Sequence, residues 1–274
     1  MEIATIMNRA IVNFDKSILD QIHDRSIELL QVCGIRFPST KALEIFKSRD
    51  FRVDGQTVYF EEKDIVEALE TVPSNFTIEA RNPEKNICIG GGEYMMAPGY
   101  GPPFIIETSG EKRNATLEDV HTFCKLVQTS TCLDFNSSIV VQPNDVPTET
   151  AHLDILIGTI LLTDKPLMGS TSSEVAALDS LKLAEIIWGN TKKPVMISLV
   201  DSLSPLQYSD ESIEALMVYA TAGQPVIIHS SCSLGSTGPR PAFGGHRPFN
   251  AGEIQRVFNA DLLQGGGPGS QSAR

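Results

Sequence analysis

Apolar positions along the chain change period twice, and those changes divide it into three parts. From residues 15 to 33, Ile18, Leu19, Ile22, Ile27, Leu29, Leu30 and Cys33 follow helical spacing, and Gly34 supplies the stop. A short strand is expected over 35–37, then a helix capped by Ser39 or Thr40 and running through Phe46. VDGQTVYF carries the Asp54-Gly55 pair of a tight hairpin. A further helix is expected over 64–72, ending at Pro73, and then strands over 76–80 and 87–89 joined by NPEKN.

Beyond residue 115 the elements lengthen. Thr116 and Asp119 are spaced as a capping box, with Asp in place of the usual Glu or Gln, and open a helix to about Gln128. Strand-like runs then begin at Asp134 (DFNSSIVV), Pro166 (PLMGST), Pro194 (PVMISLV) and Pro225 (PVIIHSS), at spacings of 32, 28 and 31 residues. Helical patterns over 148–163, 173–189 and 209–222 fill the gaps. Continuous apolar strands alternating with helices predict βαβ units around a parallel sheet. No G-x-G-x-x-G follows a strand, which removes the main support for a dinucleotide-binding open sheet. Small polar residues instead gather at the strand ends: Gln142, Ser170, Thr171, Ser198, Asp201, His229 and Ser230. That placement suits the upper rim of a (β/α)8 barrel.

A whole barrel takes about 250 residues and eight strands, whereas this part of the chain offers four units. After Pro239 the cadence stops; glycines cluster, and only 251–263 retains a helical pattern. The expected fold is therefore α/β: an incomplete (β/α)8 barrel over 116–239, an α+β N-terminal extension over 1–115, and an atypical tail over 240–274. The abrupt loss of pattern reads as an out-of-frame end.

Composition narrows the function. The chain has 274 residues, 41% of them hydrophobic, and a net charge of −12 without a long Lys/Arg run. Nucleic acid and anionic membranes are poor partners for such a surface. The N-terminus lacks a basic and then apolar leader, and no apolar run reaches the roughly 20 residues of a membrane helix, so a cytoplasmic location is expected. The five cysteines are scattered and never spaced C-x-x-C, which predicts free thiols and no zinc site. His121 and His152 fall on separate helices without metal-ligand spacing, and no metal is expected. GSTSS and SLGSTG are not nucleophile elbows, and GGGEY is not a P-loop.

Five segments are familiar in their order: GIRF after the first long helix, APGYGPPFI, GEKRNATLEDV, SLSPL and GQPVIIHSSCSLGSTGP. Over roughly residues 15–239 the sequence resembles the trimethylamine methyltransferase superfamily, in which pyrrolysine-containing enzymes stand beside relatives such as glycine betaine methyltransferase. The resemblance implies a (β/α)8 barrel that moves a methyl group from trimethylamine or a betaine to the Co(I) corrinoid of a small partner protein. It implies no cofactor bound directly by the chain, and a homo-oligomer at full length. Family members continue well past the equivalent of Pro239, and the pyrrolysine position lies in that later part, so no such residue is carried over.

The corrinoid supplies the nucleophile in that chemistry, so no catalytic residue is assigned; the barrel has to hold a methylammonium cation. Aromatic faces attract such cations, and carboxylates balance them. Tyr100 and Phe104, in a bend fixed by Pro98-Gly99 and Gly101-Pro102, either form an aromatic lip or simply pack in a turn. Asn136 and Gln142 either point into the barrel mouth or bond within its layers. Asp201 either balances the cation or caps the loop before Ser204-Pro205, and His229 either faces substrate or is a satisfied core histidine. Two rival readings remain beside the enzyme: a non-catalytic truncated fragment with an unpaired sheet edge, and a scaffold that binds a cation without turnover.

Overall fold

The computed structural model describes residues 16–90, 95–189, 192–203 and 205–230. Helix α1 (Lys16–Val32) ends where Gly34, at φ +66°, turns the chain into β1 (Ile35–Arg36). A Cβ at Gly34 would lie 2.6 Å from the Val58 carbonyl oxygen, so close approach as well as positive φ requires glycine there. Helix α2 (Thr40–Ser48) starts at Ser39, whose hydroxyl accepts from the Ala42 N–H. The hairpin expected at Asp54-Gly55 forms from β2 (Arg52–Asp54) and β3 (Thr57–Tyr59), and β3 also pairs antiparallel with β1. Helix α3 (Glu62–Glu70) begins two residues before the expected start, because the Asp64 carboxylate accepts from the Glu61 N–H and closes the first turn.

Strands β4 (Asn75–Ile78) and β5 (Ile87–Gly90) make a second hairpin. A third, which the polar pattern of its second strand conceals, joins β6 (Phe104–Ile106) to β7 (Lys112–Asn114). Helix α4 (Leu117–Thr129) opens on the expected box: Asp119 accepts from the Thr116 N–H at 2.8 Å, and Thr116 Oγ1 accepts in return. Arg113 of β7 also grips Asp119 through both guanidinium nitrogens, at 2.6 and 2.8 Å, and holds that carboxyl well below the usual range. Hairpin and helix start are thereby clamped together.

Then follow α5 (Ala151–Leu162), β8 (Leu167–Gly169), α6 (Glu174–Trp188), β9 (Met196–Ser202), α7 (Asp210–Thr221) and β10 (Val226–Ser230). The three strands form one parallel sheet in the order β8, β9, β10, with Leu167 beside Met196 and Val226 beside Ser198. Adjacent helices pack in sequence, α4 on α5, α5 on α6 and α6 on α7, as two complete βαβ units require.

The fourth expected strand is a correction. Residues 134–141 form no strand, although they lie along the sheet and the Asn136 N–H reaches the Pro166 carbonyl at 3.4 Å. Their other neighbour is the segment 95–103, bonded through Asp134 N–H to Met96 O and Gly101 N–H to Ile139 O. Pro98, Pro102 and Pro103 in that segment have no N–H, so a continuous ladder cannot form. The described residues thus make a mixed α/β structure with seven α-helices, one three-stranded parallel sheet and small antiparallel ones, and no closed barrel. The tail over 240–274 and its expected helix lie outside the described residues.

Alternation along the parallel strands sorts two faces. Leu167, Met196, Val200 and Ile228 join the cores under the helices, and Val200 and Ile228 also meet the aromatic cluster of the N-terminal region, Phe37, Phe46 and Phe60. Met168, Ile197, Leu199 and Ile227 turn the other way, onto Ile78, Ile87, Phe135 and Tyr100. The N-terminal elements and the βα units therefore share buried cores on both sides of the sheet.

Candidate functional site

The inward face leads upward to the C-terminal ends of the strands. Along β9 it carries Ile197, Leu199 and then Asp201; along β10 it carries Ile227 and then His229. Asp201 and His229 are register partners, so the sheet itself brings them side by side. Asp201 Oδ1 lies 2.7 Å from His229 Nδ1, and both side chains are exposed. A carboxylate accepts only, so Nδ1 carries the proton and Nε2 is the ring atom left for a ligand.

Tyr100 reaches the same face from the proline-rich bend, where Gly101 adopts φ +63° and its N–H donates to Ile139 O. The ring packs in the inward cluster and the hydroxyl donates to Met168 Sδ at 2.7 Å. Burial pushes the phenol up to about 12; hydrogen bonds with Ser137 and Ser138 oppose that rise, and the Asp201 carboxylate adds to it. Tyr100, Met168, Ser137, Ser138, Asp201 and His229 thus share one neighbourhood. Thr171, just past β8, donates to Leu199 O at 2.7 Å and ties the neighbouring strand end down.

The other sequence-derived candidates fall elsewhere. Phe104 lies on β6, opposite Asn114, and the Lys112 ammonium sits 3.6 Å from its ring centroid. That ring face is already given to a cation of the chain itself, and Phe104 is not in the apolar cluster that takes in Tyr100. Gln142 braces the bend: its N–H donates to Pro102 O and its carbonyl accepts from Asn144 Nδ2. Asn136 is wholly buried, with neither side-chain polar atom bonded within the described residues. The backbone bond to Pro166 sets Asn136 beside Leu167, whose side chain belongs to the core under the helices.

Sequence reasoning missed Met168, Ser137 and Ser138. For Met168 a signal existed, because inward Leu199 on β9 fixes Ile197, and hence its β8 partner Met168, as inward too. Ser137 and Ser138 gave none, since they sit in a segment that reads as a strand and is not one. No group of three or more His, Cys, Asp or Glu among the described residues is placed to hold a metal ion, and no described helix is long and apolar enough to cross a membrane. Two shallow concavities against α1 and the β2–β3 hairpin are remote from this neighbourhood in sequence and lining.

Comparison with known proteins identifies the chain's relatives. The family described as Trimethylamine methyltransferase (MTTB) matches residues 3–252. The chain is 38% identical over 262 residues to the glycine betaine methyltransferase of Desulfitobacterium hafniense (strain Y51), covering 93% of this chain and 55% of that protein. It is 30% identical over 263 residues to the proline betaine:corrinoid methyltransferase of Eubacterium limosum, covering 91% and 54%. Against the trimethylamine methyltransferase MttB of Desulfitobacterium hafniense (strain DSM 10664 / DCB-2) it is 24% identical over 275 residues, covering 97% and 55%. The chain spans about half the length of the curated relatives it matches. A family match across most of the sequence, with relatives of this identity, leaves one conclusion: the chain belongs to the trimethylamine methyltransferase family.

Proposed function

We propose that the chain forms the substrate-binding portion of a corrinoid-protein-dependent methyltransferase acting on a methylated amine of the betaine class. The observation that carries this reading is the grouping of Tyr100, Asp201 and His229 on the inward face at the strand ends. The 38% identity to a glycine betaine methyltransferase supports the same class.

A quaternary ammonium carries its positive charge on its methyl groups and donates no strong hydrogen bond. It is held by ring faces and by a nearby carboxylate rather than by directional donors. Tyr100 offers the ring, fixed by its bond to Met168, and Asp201 offers the charge. His229 shares Asp201 through Nδ1, which keeps that carboxylate in one orientation and leaves Nε2 outside that bond. A reduced corrinoid on a partner protein would supply the nucleophile for the methyl group, with the demethylated amine as the leaving group. The residues of this chain bind the cation, aim one methyl group outward and limit the water around it.

Calorimetric titration of the chain with glycine betaine, proline betaine and trimethylamine tests binding, and methyl transfer to a reduced corrinoid protein tests turnover in a full-length relative. Tyr100→Ala should weaken binding about threefold to thirtyfold, the worth of one cation–π contact. Unchanged affinity in Tyr100→Ala and Asp201→Asn alike would remove the site from this face. Cation binding by a full-length relative with no methyl transfer would favour a scaffold.

A further inference from the structure

The Asp201–His229 pair leaves one polar atom without a task. Nδ1 is 2.7 Å from Asp201 Oδ1, and Nε2 is bonded to nothing among the described residues. Removal of a methyl group from a quaternary amine does not employ that atom. The nitrogen has four carbon substituents and no lone pair, so it accepts no hydrogen bond. When a C–N bond breaks, its electrons become a lone pair aimed at the departing methyl group, where a side chain behind the nitrogen cannot reach. The remaining methyl groups carry positive charge and repel a donor. Nε2 is therefore matched to another part of the ligand.

Resting on the reading of Tyr100 and Asp201 as the ammonium end, we propose that His229 Nε2 binds the carboxylate of the same ligand, a betaine. Asp201 and His229 are register partners on adjacent parallel strands, which run about 4.8 Å apart. A ligand with one carbon between ammonium and carboxylate, as in glycine betaine, presents its two poles on that scale. A ring that donates from both nitrogens is the imidazolium. The occupied site then alternates in sign: ligand ammonium, Asp201 carboxylate, His229 imidazolium, ligand carboxylate. Each charge lies beside its opposite, and a zwitterion adds nothing to the net −12 of the chain. Hydrogen bonds between partners charged in this way are the strong ones.

The neighbouring basic side chains are engaged elsewhere. Lys85 and Lys165 bond at the lower ends of the strands, to Asp164 and to the carbonyls that follow α4. Lys193 pairs with Glu79, and Arg113 grips Asp119. Arg36, whose backbone bonds to the loop after β9, has its guanidinium held by Gln56 and Gln207. Along β9 and β10 the inward residues Ile197, Leu199 and Ile227 are apolar, which leaves the charge of that face to Asp201 and His229. Tyr100, its phenol pushed up to about 12, stays neutral and contributes a ring.

Calorimetric titration of the 274-residue chain with glycine betaine and with tetramethylammonium separates the two poles, because only the first ligand has a carboxylate. His229→Ala should lower glycine betaine affinity about tenfold to hundredfold, the worth of one charge-assisted hydrogen bond, and should not lower tetramethylammonium affinity. An equal loss for both ligands would show that His229 serves only to hold Asp201. An unchanged glycine betaine affinity would put the carboxylate elsewhere. Either result overturns the proposal. If tetramethylammonium still binds and Tyr100→Ala weakens it, the proposed function survives that failure; a chain that binds neither ligand overturns both. Where His229→Ala fails to fold, nitrogen-15 spectra of the unmodified chain decide. Nε2 must carry a proton when glycine betaine is bound, and a bare Nε2 in that complex overturns the proposal.

Discussion

Gly169 ends β8 on the helix-facing side of the sheet, against Tyr219 of α7. A Cβ built there lies 2.3 Å from Tyr219 Oη, 2.8 Å from its Cζ and 3.0 Å from Met196 Sδ. Tyr219 cannot retreat: it is fully buried among Leu167, Ala177, Ala184, Val195, Met196 and Ala215. Its hydroxyl also donates to Ser170 O at 2.7 Å, at the rim where the candidate site begins. Gly169→Ala should therefore cost overpacking of about 1–3 kcal/mol plus about 1 kcal/mol for the displaced hydrogen bond, roughly 3 kcal/mol in all. Tyr219→Phe alone removes the bond and leaves Ser170 O unpaired, for about 1–2 kcal/mol. Once Oη is gone the worst contact goes with it, so alanine at 169 should cost at least about 1 kcal/mol less in the phenylalanine background. Urea denaturation of the four proteins gives the cycle. Additive costs within about 0.3–0.5 kcal/mol would refute the claimed contact, because residues that touch must couple.

Two other perturbations probe the opposite end of the sheet. Lys165 is buried and its ammonium donates to the carbonyls of Val127, Ser130 and Leu133, at 2.7, 2.7 and 2.5 Å. Lys165→Met keeps the bulk and strands those acceptors, and should cost about 2–4 kcal/mol; a loss below about 0.5 kcal/mol would show that water replaces the ammonium freely. Asp164 is held at about 2, chiefly by its ion pair with Lys85 and then by Gln128 and Asn82. Its folded value lies below the unfolded one of about 3.9, so its contribution is complete above the unfolded value and drains away as pH falls toward about 2. Asp164→Asn should flatten that part of the stability–pH curve, read by thermal melts from pH 5 to 2, and a curve parallel to the parent's would refute the pairing.

Legibility followed backbone regularity. Strands β9 and β10 are largely apolar runs after a proline and were legible as strands; that Asp201 and His229 stand side by side comes from the register between them. Residues 134–141 end in a similar apolar run, Ile139 to Val141, yet whether they pair depends on the donors of a distant neighbour, and that neighbour is proline-rich. No local pattern reports that. The β6–β7 hairpin was hidden for a different reason: Lys112, Arg113 and Asn114 are all exposed, so the strand has no alternation to show. Reading Tyr100 and Phe104 as one aromatic pair followed from their proximity in sequence. The hairpin separates them by giving Phe104 to Lys112, while Tyr100 turns inward to Met168.

The lower ends of the parallel strands are stitched together by side chains. Gln224 Oε1 accepts from the N–H groups of Val195 and Met196, and its Nε2 donates to Lys193 O. Lys165 and Asp164 gather α4 and the β4–β5 region beneath β8. The upper ends carry Tyr100, Asp201 and His229, with Thr171 and Tyr219 bonded to the backbone beside them. A one-residue slip between strands would exchange every inward side chain for its outward neighbour, and the lower stitching guards against it at the end away from the candidate site. The upper loops can thereby vary, in length as well as sequence, without disturbing which residues face inward. A family that divides its members among trimethylamine and several betaines needs that kind of freedom.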